Sequence, residues 1–403
     1  MKYVPIPVAM LAIGKPLPVD VWSESGQLLL KKGQPIVSEQ HKEKLHSFNA
    51  GTTPSDALAW QRAYERMVHA MLREGVDLIE IANATMPSEI READYVVGQE
   101  AKGGWLDLQA VLRGILYQGG LAINPASRLE GIKTKALALL KENPDDSLFC
   151  LYQALGDDSL GYCATHALLC FVICELTANK LGWGVADREP LHAAALTMNI
   201  AMAREQDSMA RQSTSLTDGQ RALIKEHAEK GAAVLVGFGW DEADLLDIVR
   251  WHHSPEDPSA SPHNLGRRRL LSLADGFVAQ TAARKTRSAQ SAVKAVKSMV
   301  MGAEGDAVGV SSAMAQAVGF YPPGSFVLLA NGETAVAVQR GQRANTPWVI
   351  SIVDKDSMPI SHYIPRDSST PQYAIQRPVT FEQVRVTVNA DKVRRARERI
   401  PRP

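Results

Sequence analysis

Aromatic residues make up only 6% of this 403-residue chain, and it holds four cysteines. With no CxxC pair and no secretory signal, the sequence reads as a protein of the reducing cytoplasm. It carries no excess charge of either sign: 44 lysines and arginines balance 44 aspartates and glutamates, so no global field draws it to nucleic acid or to an anionic membrane. No window approaches the roughly 20 apolar residues of a membrane span. The apolar stretch from Val4 to Ile13 contains two prolines, follows a single lysine and lacks a cleavage-like site, so neither membrane insertion nor a signal peptide is expected.

The length exceeds what one small core needs, and two or three domains are expected. Residues 1–50 read as a small β-rich module. Strand-like runs lie at Val19–Trp22 and Gln27–Leu30 around a Ser25–Gly26 turn, and a short helix follows near Ser38–Leu45. Residues 51–145 read as a helical connecting region, with Ser55 as the cap of its first helix. It fits either a packed helical bundle or a dimerising stalk. Residues 146–302 read as an all-helical core with helices at 162–182, 190–204, 217–237, 241–253, 264–284 and 288–302. Thr217 with Gln220 forms a capping-box pattern, and Asp241, Asn264 and Ser288 stand where N-caps belong. From 303 to 360 the texture turns to strands, with Asn331–Gly332 as a hairpin signal for a type I′ turn. Residues 361–403 read as a flexible tail ending in the basic stretch Lys392–Arg402. It has no aromatic residue to stack on bases, so a frayed end is expected rather than an RNA-binding arm.

Within the helical core lie His166, His227, the adjacent His252–His253, and Asp275. Imidazoles with a carboxylate suit iron, manganese, zinc and similar divalent ions. A single histidine on a helix is usually packed or solvated. The His252–His253 pair, however, closes an amphipathic helix whose core face is Leu245, Leu246, Ile248 and Val249, which favours a cavity. Cys163, Cys170 and Cys174 flank His166 at helical spacing and read as small buried hydrophobes rather than as ligands.

The order of these motifs resembles the HD-GYP family of cyclic di-GMP phosphodiesterases. His166 is followed by Leu216–Thr217 with His227 and Gly231, then by His252–His253. The run Asp275-Gly276-Phe277-Val278-Ala279-Gln280-Thr281-Ala282-Ala283-Arg284 fits the family's D-x-F-x-A-x-T-x-x-R segment. Tyr321-Pro322-Pro323-Gly324 and Asn331-Gly332-Glu333 resemble the hairpin that closes such domains. The resemblance spans about residues 146–355. It implies a mainly α fold, an HD-superfamily helical bundle with a small C-terminal β-hairpin subdomain beside the N-terminal β-rich module. It also implies that His166, His227, His252, His253 and Asp275 ligate metal, and that Arg284 and Arg287 grip phosphate.

Two family features are missing. Met198–Asn199 stands where the family has the His-Asp dipeptide whose aspartate bridges two metals, and the GYP signature after His253 is replaced by Ser254-Pro255-Glu256-Asp257-Pro258. Methionine is too soft for hard divalent ions, and neutral asparagine bridges poorly. Asp207 is a nearby carboxylate that could swing in as a substitute. Two-metal hydrolysis needs both ions, so the expected cofactor is one divalent ion of the iron, manganese or zinc class, or none. Three readings follow: a degenerate signalling protein that binds a cyclic dinucleotide or a protein partner, an active phosphohydrolase with an altered site, and a metal-free HDOD-like scaffold. A homodimer is compatible with each.

Overall fold

The structure is a computed structural model that describes residues 3–91, 94, 104–122, 124–157, 160–282, 289–302 and 305–401. Contacts divide the chain into two units, Met1–Gly103 and Gly104–Pro403, each with its own apolar core. The division falls before the expected boundary near 145. The physical reason is that Leu108, Leu112, Ile115, Leu129 and Ile132, on the stretch read as a connector, are buried in the same cluster as the later helices.

In the first unit, β1 (Val4–Pro5), β2 (Val21–Trp22), β3 (Leu28–Leu30) and β4 (Gly51–Thr52) form an antiparallel sheet in the order β1-β4-β2-β3. Ser38 caps α1 (Glu39–Ser47), accepting from the His41 amide at 3.2 Å. α2 (Pro54–Arg73) starts one residue before the expected cap Ser55; the Thr53 hydroxyl accepts from the Asp56 amide instead. α3 (Leu78–Ala82) follows. The β-rich reading of this module therefore stands, with Val21, Ile36 and Trp60 at its centre.

The second unit is mainly α, as expected. Its helices are α4 (Trp105–Gln118), α5 (Pro125–Glu142), α6 (Pro144–Leu155), α7 (Tyr162–Lys180), α8 (Val185–Thr197), α9 (Ala203–Arg211), α10 (Asp218–Gly237), α11 (Ala243–Trp251), α12 (Leu265–Thr281), α13 (Ala292–Met301) and α14 (Ala307–Val318). α7 is apolar nearly all round, and a helix of that kind must be enclosed. It packs against α4, α6, α8, α9, α12 and α14. By length and composition alone its 19 residues could cross a membrane, which the sequence reading did not anticipate, but 83% of the apolar window lies inside the bundle. The capping box at Thr217–Gln220 forms and starts α10. Asp241 does not cap; α11 begins after Glu242 without a side-chain cap. Asn264 sits at the start of α12 but spends its amide on Asp244, at 3.0 Å. Ser288 lies outside the described residues, and Ser291 caps α13.

The helix expected over 190–204 is three pieces: α8, a 3-10 turn at Ile200–Met202, and α9. No glycine or proline marks the break, so the sequence pattern alone could not place it.

The C-terminal β part is larger than a hairpin. β5 (Phe326–Leu329), β6 (Thr334–Gln339), β7 (Trp348–Val353), β8 (Pro365–Asp367) and β9 (Ile375–Val379) form an antiparallel sheet in the order β8-β7-β6-β5-β9. The β5–β6 hairpin forms, but its turn is not type I′: only Gly332 has a positive φ, +85°, and its amide bonds to Leu329 O at 3.0 Å. Glycine there supplies the left-handed residue of a bulged hairpin turn.

The expected flexible tail is corrected by the same sheet. β8, β9 and α15 (Ala390–Arg397) are all built from it. Val393 and Ile400 are buried with Phe149, Val338 and Ile352. Arg397 reaches Asp146 and donates to Val338 O at 2.7 Å. The interleaved apolar residues of the basic stretch are thus the buried face of a docked helix.

Candidate metal centre

Four helices of the bundle bring the expected residues together. His166 lies one turn into α7 and is 1% exposed. Its Nε2 is 2.8 Å from Asp275 Oδ1, in the middle of α12. The other carboxylate oxygen of Asp275 is 4.0 Å from His253 Nδ1. His227, within α10, and His252, immediately after α11, are both fully buried. One imidazole atom from each of His227, His252 and His253 lies within 4.8 Å of the other two.

The hydrogen bonds fix how two of these rings face. His227 Nδ1 lies 2.6 Å from Ile224 O, and His252 Nδ1 lies 2.7 Å from Val249 O. A carbonyl only accepts, so each Nδ1 carries the proton and each Nε2 carries a bare lone pair. Those two Nε2 atoms face each other at 3.4 Å. Burial lowers both basicities, His252 down to about 3, and the neighbouring His253 adds to the effect. No proton therefore sits between the lone pairs at neutral pH, and a cation there would relieve their repulsion. Carbonyls that hold the far nitrogen are the usual outer support of metal-bound histidine. Burial pushes the Asp275 carboxyl up, but the hydrogen bond from His166 and the histidines around it outweigh this and hold it well below the usual carboxylate range. The donor set thus fits a divalent ion of the imidazole-binding class.

Met198 and Asn199 fill the corner where α8 ends. Both are buried. The corner sits against the helix pair that supplies the histidines: a Cβ on Gly231 would stand 3.4 Å from Met198 O and 3.7 Å from Val249. Gly231 is one turn beyond His227, and Val249 one turn before His253. Among the described residues, the Asn199 amide nitrogen has no hydrogen-bond partner. Asp207 is not a substitute bridge. Its Oδ1 accepts from the Cys163 amide at 2.5 Å, its Oδ2 from the Tyr117 hydroxyl. It caps α7 from another helix, and a side chain at Gly161, where φ is +87°, would collide with it. Arg284 and Arg287 lie outside the described residues. Cys163, Cys170 and Cys174 are free and buried as read.

Sequence reasoning missed Tyr162, whose hydroxyl is 2.8 Å from His166 Nδ1. The signal was its spacing of four from His166, which puts both on one helical face.

No family model matches this chain. Over 163 residues it is 28% identical to the cyclic di-GMP phosphodiesterase PA4108 of Pseudomonas aeruginosa. It is similar in sequence to a cyclic di-GMP phosphodiesterase. The matched stretch covers 39% of this chain and 39% of that relative's length. Among solved structures, Bd1817, a HDG"Y"P protein from Bdellovibrio bacteriovorus, matches with a TM-score of 0.40 and 15% identity. That match covers 78% of this chain and 98% of the other, and at this score it carries no weight for fold or function.

Proposed function

We propose that this chain is a degenerate HD-GYP-type signalling protein of the cytoplasm, holding one divalent metal ion and binding a cyclic di-GMP-related ligand or a protein partner with little or no hydrolysis. The observation that carries the reading is the contrast inside one cluster. Two buried imidazoles present bare nitrogens to each other at 3.4 Å. On the corner packed near Gly231, one turn beyond His227, stand Met198 and Asn199, a thioether and an amide in place of the bridging carboxylate of the family that the sequence resembles. When bound, a single ion would supply Lewis acidity to an oxygen ligand. His227, His252 and His253 would hold it, with His166 and Asp275 completing the set. Without an anionic bridge at Asn199, nothing among the described residues there draws in a second ion. The phosphate-gripping roles of Arg284 and Arg287 belong to this proposal on sequence alone.

One observation favours a second reading, hydrolysis at a single ion. The His253 side chain is 48% exposed, so one side of the cluster is open to solvent, as mononuclear zinc hydrolysis requires. The buried imidazole cluster speaks against the metal-free scaffold.

Elemental analysis of the purified chain, with cyclic di-GMP binding by calorimetry and turnover by chromatography, separates these readings. One ion per chain, binding and no turnover are expected. Two stoichiometric ions or sustained turnover would overturn the degenerate reading.

A further inference from the structure

The inference here rests on the metal reading above and concerns how His166 could join that site. Its ring is held at both nitrogens: Nε2 is 2.8 Å from Asp275 Oδ1, and Nδ1 is 2.8 Å from the Tyr162 hydroxyl. An ionised carboxylate only accepts, so in the neutral ring Nε2 carries the proton and Nδ1 accepts from Tyr162. His227 and His252 are arranged the other way, because their Nδ1 atoms face main-chain carbonyls. Two imidazoles therefore present a bare Nε2 at all times, while His166 presents a protonated one.

For His166 to ligate through Nε2 beside Asp275, the ring must change tautomer. One proton passes from Nε2 to water by way of Asp275, whose side chain is 15% exposed, one from water reaches Nδ1 past the Tyr162 hydroxyl, and the ring stays neutral. A carbonyl at Nδ1 would forbid the first form, and an amide N–H there would forbid the second. A hydroxyl serves both, since it can donate, accept and rotate. Tyr162 sits one turn before His166 on α7, with the ring centres 5.1 Å apart at 53°. We propose that Tyr162 is the positioning residue that lets His166 exchange tautomers, so that the site has two standing ligands, His227 and His252, and a switchable pair, His166 with Asp275. The Tyr162 hydroxyl keeps its own proton throughout and only turns from donor to acceptor.

The test uses the full chain with 15N-labelled histidine. Long-range proton–nitrogen NMR reads each ring's tautomer without metal and with zinc. Competition against a chromogenic chelator gives the zinc affinity of the natural chain, Tyr162→Phe and His166→Ala. His166 is expected to be Nε2-protonated without metal and Nδ1-protonated with zinc, while His227 and His252 stay Nδ1-protonated in both. Tyr162→Phe keeps the ring packing and removes the hydroxyl, and it is expected to weaken zinc roughly 10–100-fold, as loss of an outer-shell partner does. The inference is overturned if His166 holds one tautomer in both states, which needs no variant to observe, or if Tyr162→Phe binds zinc as the natural chain does. A natural chain that binds zinc alongside an equally tight His166→Ala removes only this inference. A natural chain that takes up no zinc removes the metal reading itself.

Discussion

Asn199 has a buried amide nitrogen with no hydrogen-bond partner among the described residues, and such a group costs about 1–3 kcal/mol. In the proposed reading, Asn199 and Met198 stand where the missing bridge would be. Replacing both, Met198→His with Asn199→Asp, supplies an imidazole and an anionic bridge in the same corner. Metal content is expected to rise from about one to about two ions per chain, since a bridging carboxylate is what a paired-ion site requires; elemental analysis reads the change, and an unaltered ratio would count against the corner's placement. A second buried group gives a pH prediction. Glu175 accepts from His192 Nε2 at 2.7 Å and Arg188 at 2.6 Å. Burial pushes its carboxyl up, but the bonds from His192, Asn179 and the charge of Arg188 outweigh it, so its folded value lies below the ordinary one. A lowered carboxyl stabilises the fold above its unfolded value, about 4.3, and that contribution is lost as pH falls through the folded value. Glu175→Gln is expected to cost about 2 kcal/mol at pH 7. Melting curves of the two proteins should converge below about pH 4, and a gap that stays constant with pH would show that charge is not the cause.

At the scale of elements, the helices that carry the site were legible where a local signal marked their ends. Thr217 and Gln220 announced α10, and the amphipathic run Leu245–Val249 announced α11. The break between α8 and α9 was not legible, because apolar residues dominate Ala193 to Met202 and neither glycine nor proline marks the turn, which packs near Gly231. Nor was the cap of α7, which arrives from Asp207, 44 residues later in the chain. That cap positions the first turn of the helix bearing His166. Burial and the Asp207 bond push the Tyr117 hydroxyl above its usual range, so it remains the donor in the pair. Asp207→Ala leaves a buried hydroxyl and a helix-end amide without acceptors and is expected to cost about 3 kcal/mol, from two unsatisfied groups. Denaturant midpoints at constant slope measure this. A loss under about half a kcal/mol would mean that water replaces the carboxylate freely.

For the whole molecule, the motif order picked out five residues that the fold gathers in one cluster, because His166, His227 and Asp275 lie on helices whose apolar residues face the core; His252 and His253 follow the end of α11, and His253 is 48% exposed. The tail was misread for a related reason: charge dominates Lys392–Arg402, and only the tertiary partners Asp146 and Val338 reveal that its apolar residues face inward. The division at Gly103/Gly104 follows from where apolar area is buried rather than from composition, and it makes a prediction about autonomy. His166, His227, His252, His253 and Asp275 and the cluster that supports them all lie within Gly104–Pro403. The first unit buries a separate set centred on Val21, Ile36 and Trp60. A unit with its own core can fold alone. The segment 104–403 produced by itself is therefore expected to unfold in one cooperative urea transition and to bind zinc as tightly as the full chain. The outcome that would sink this is a broad, non-cooperative transition, or zinc affinity lower by more than about tenfold, a difference of about 1.4 kcal/mol. Either would mean that residues before Gly104 complete the fold or the site.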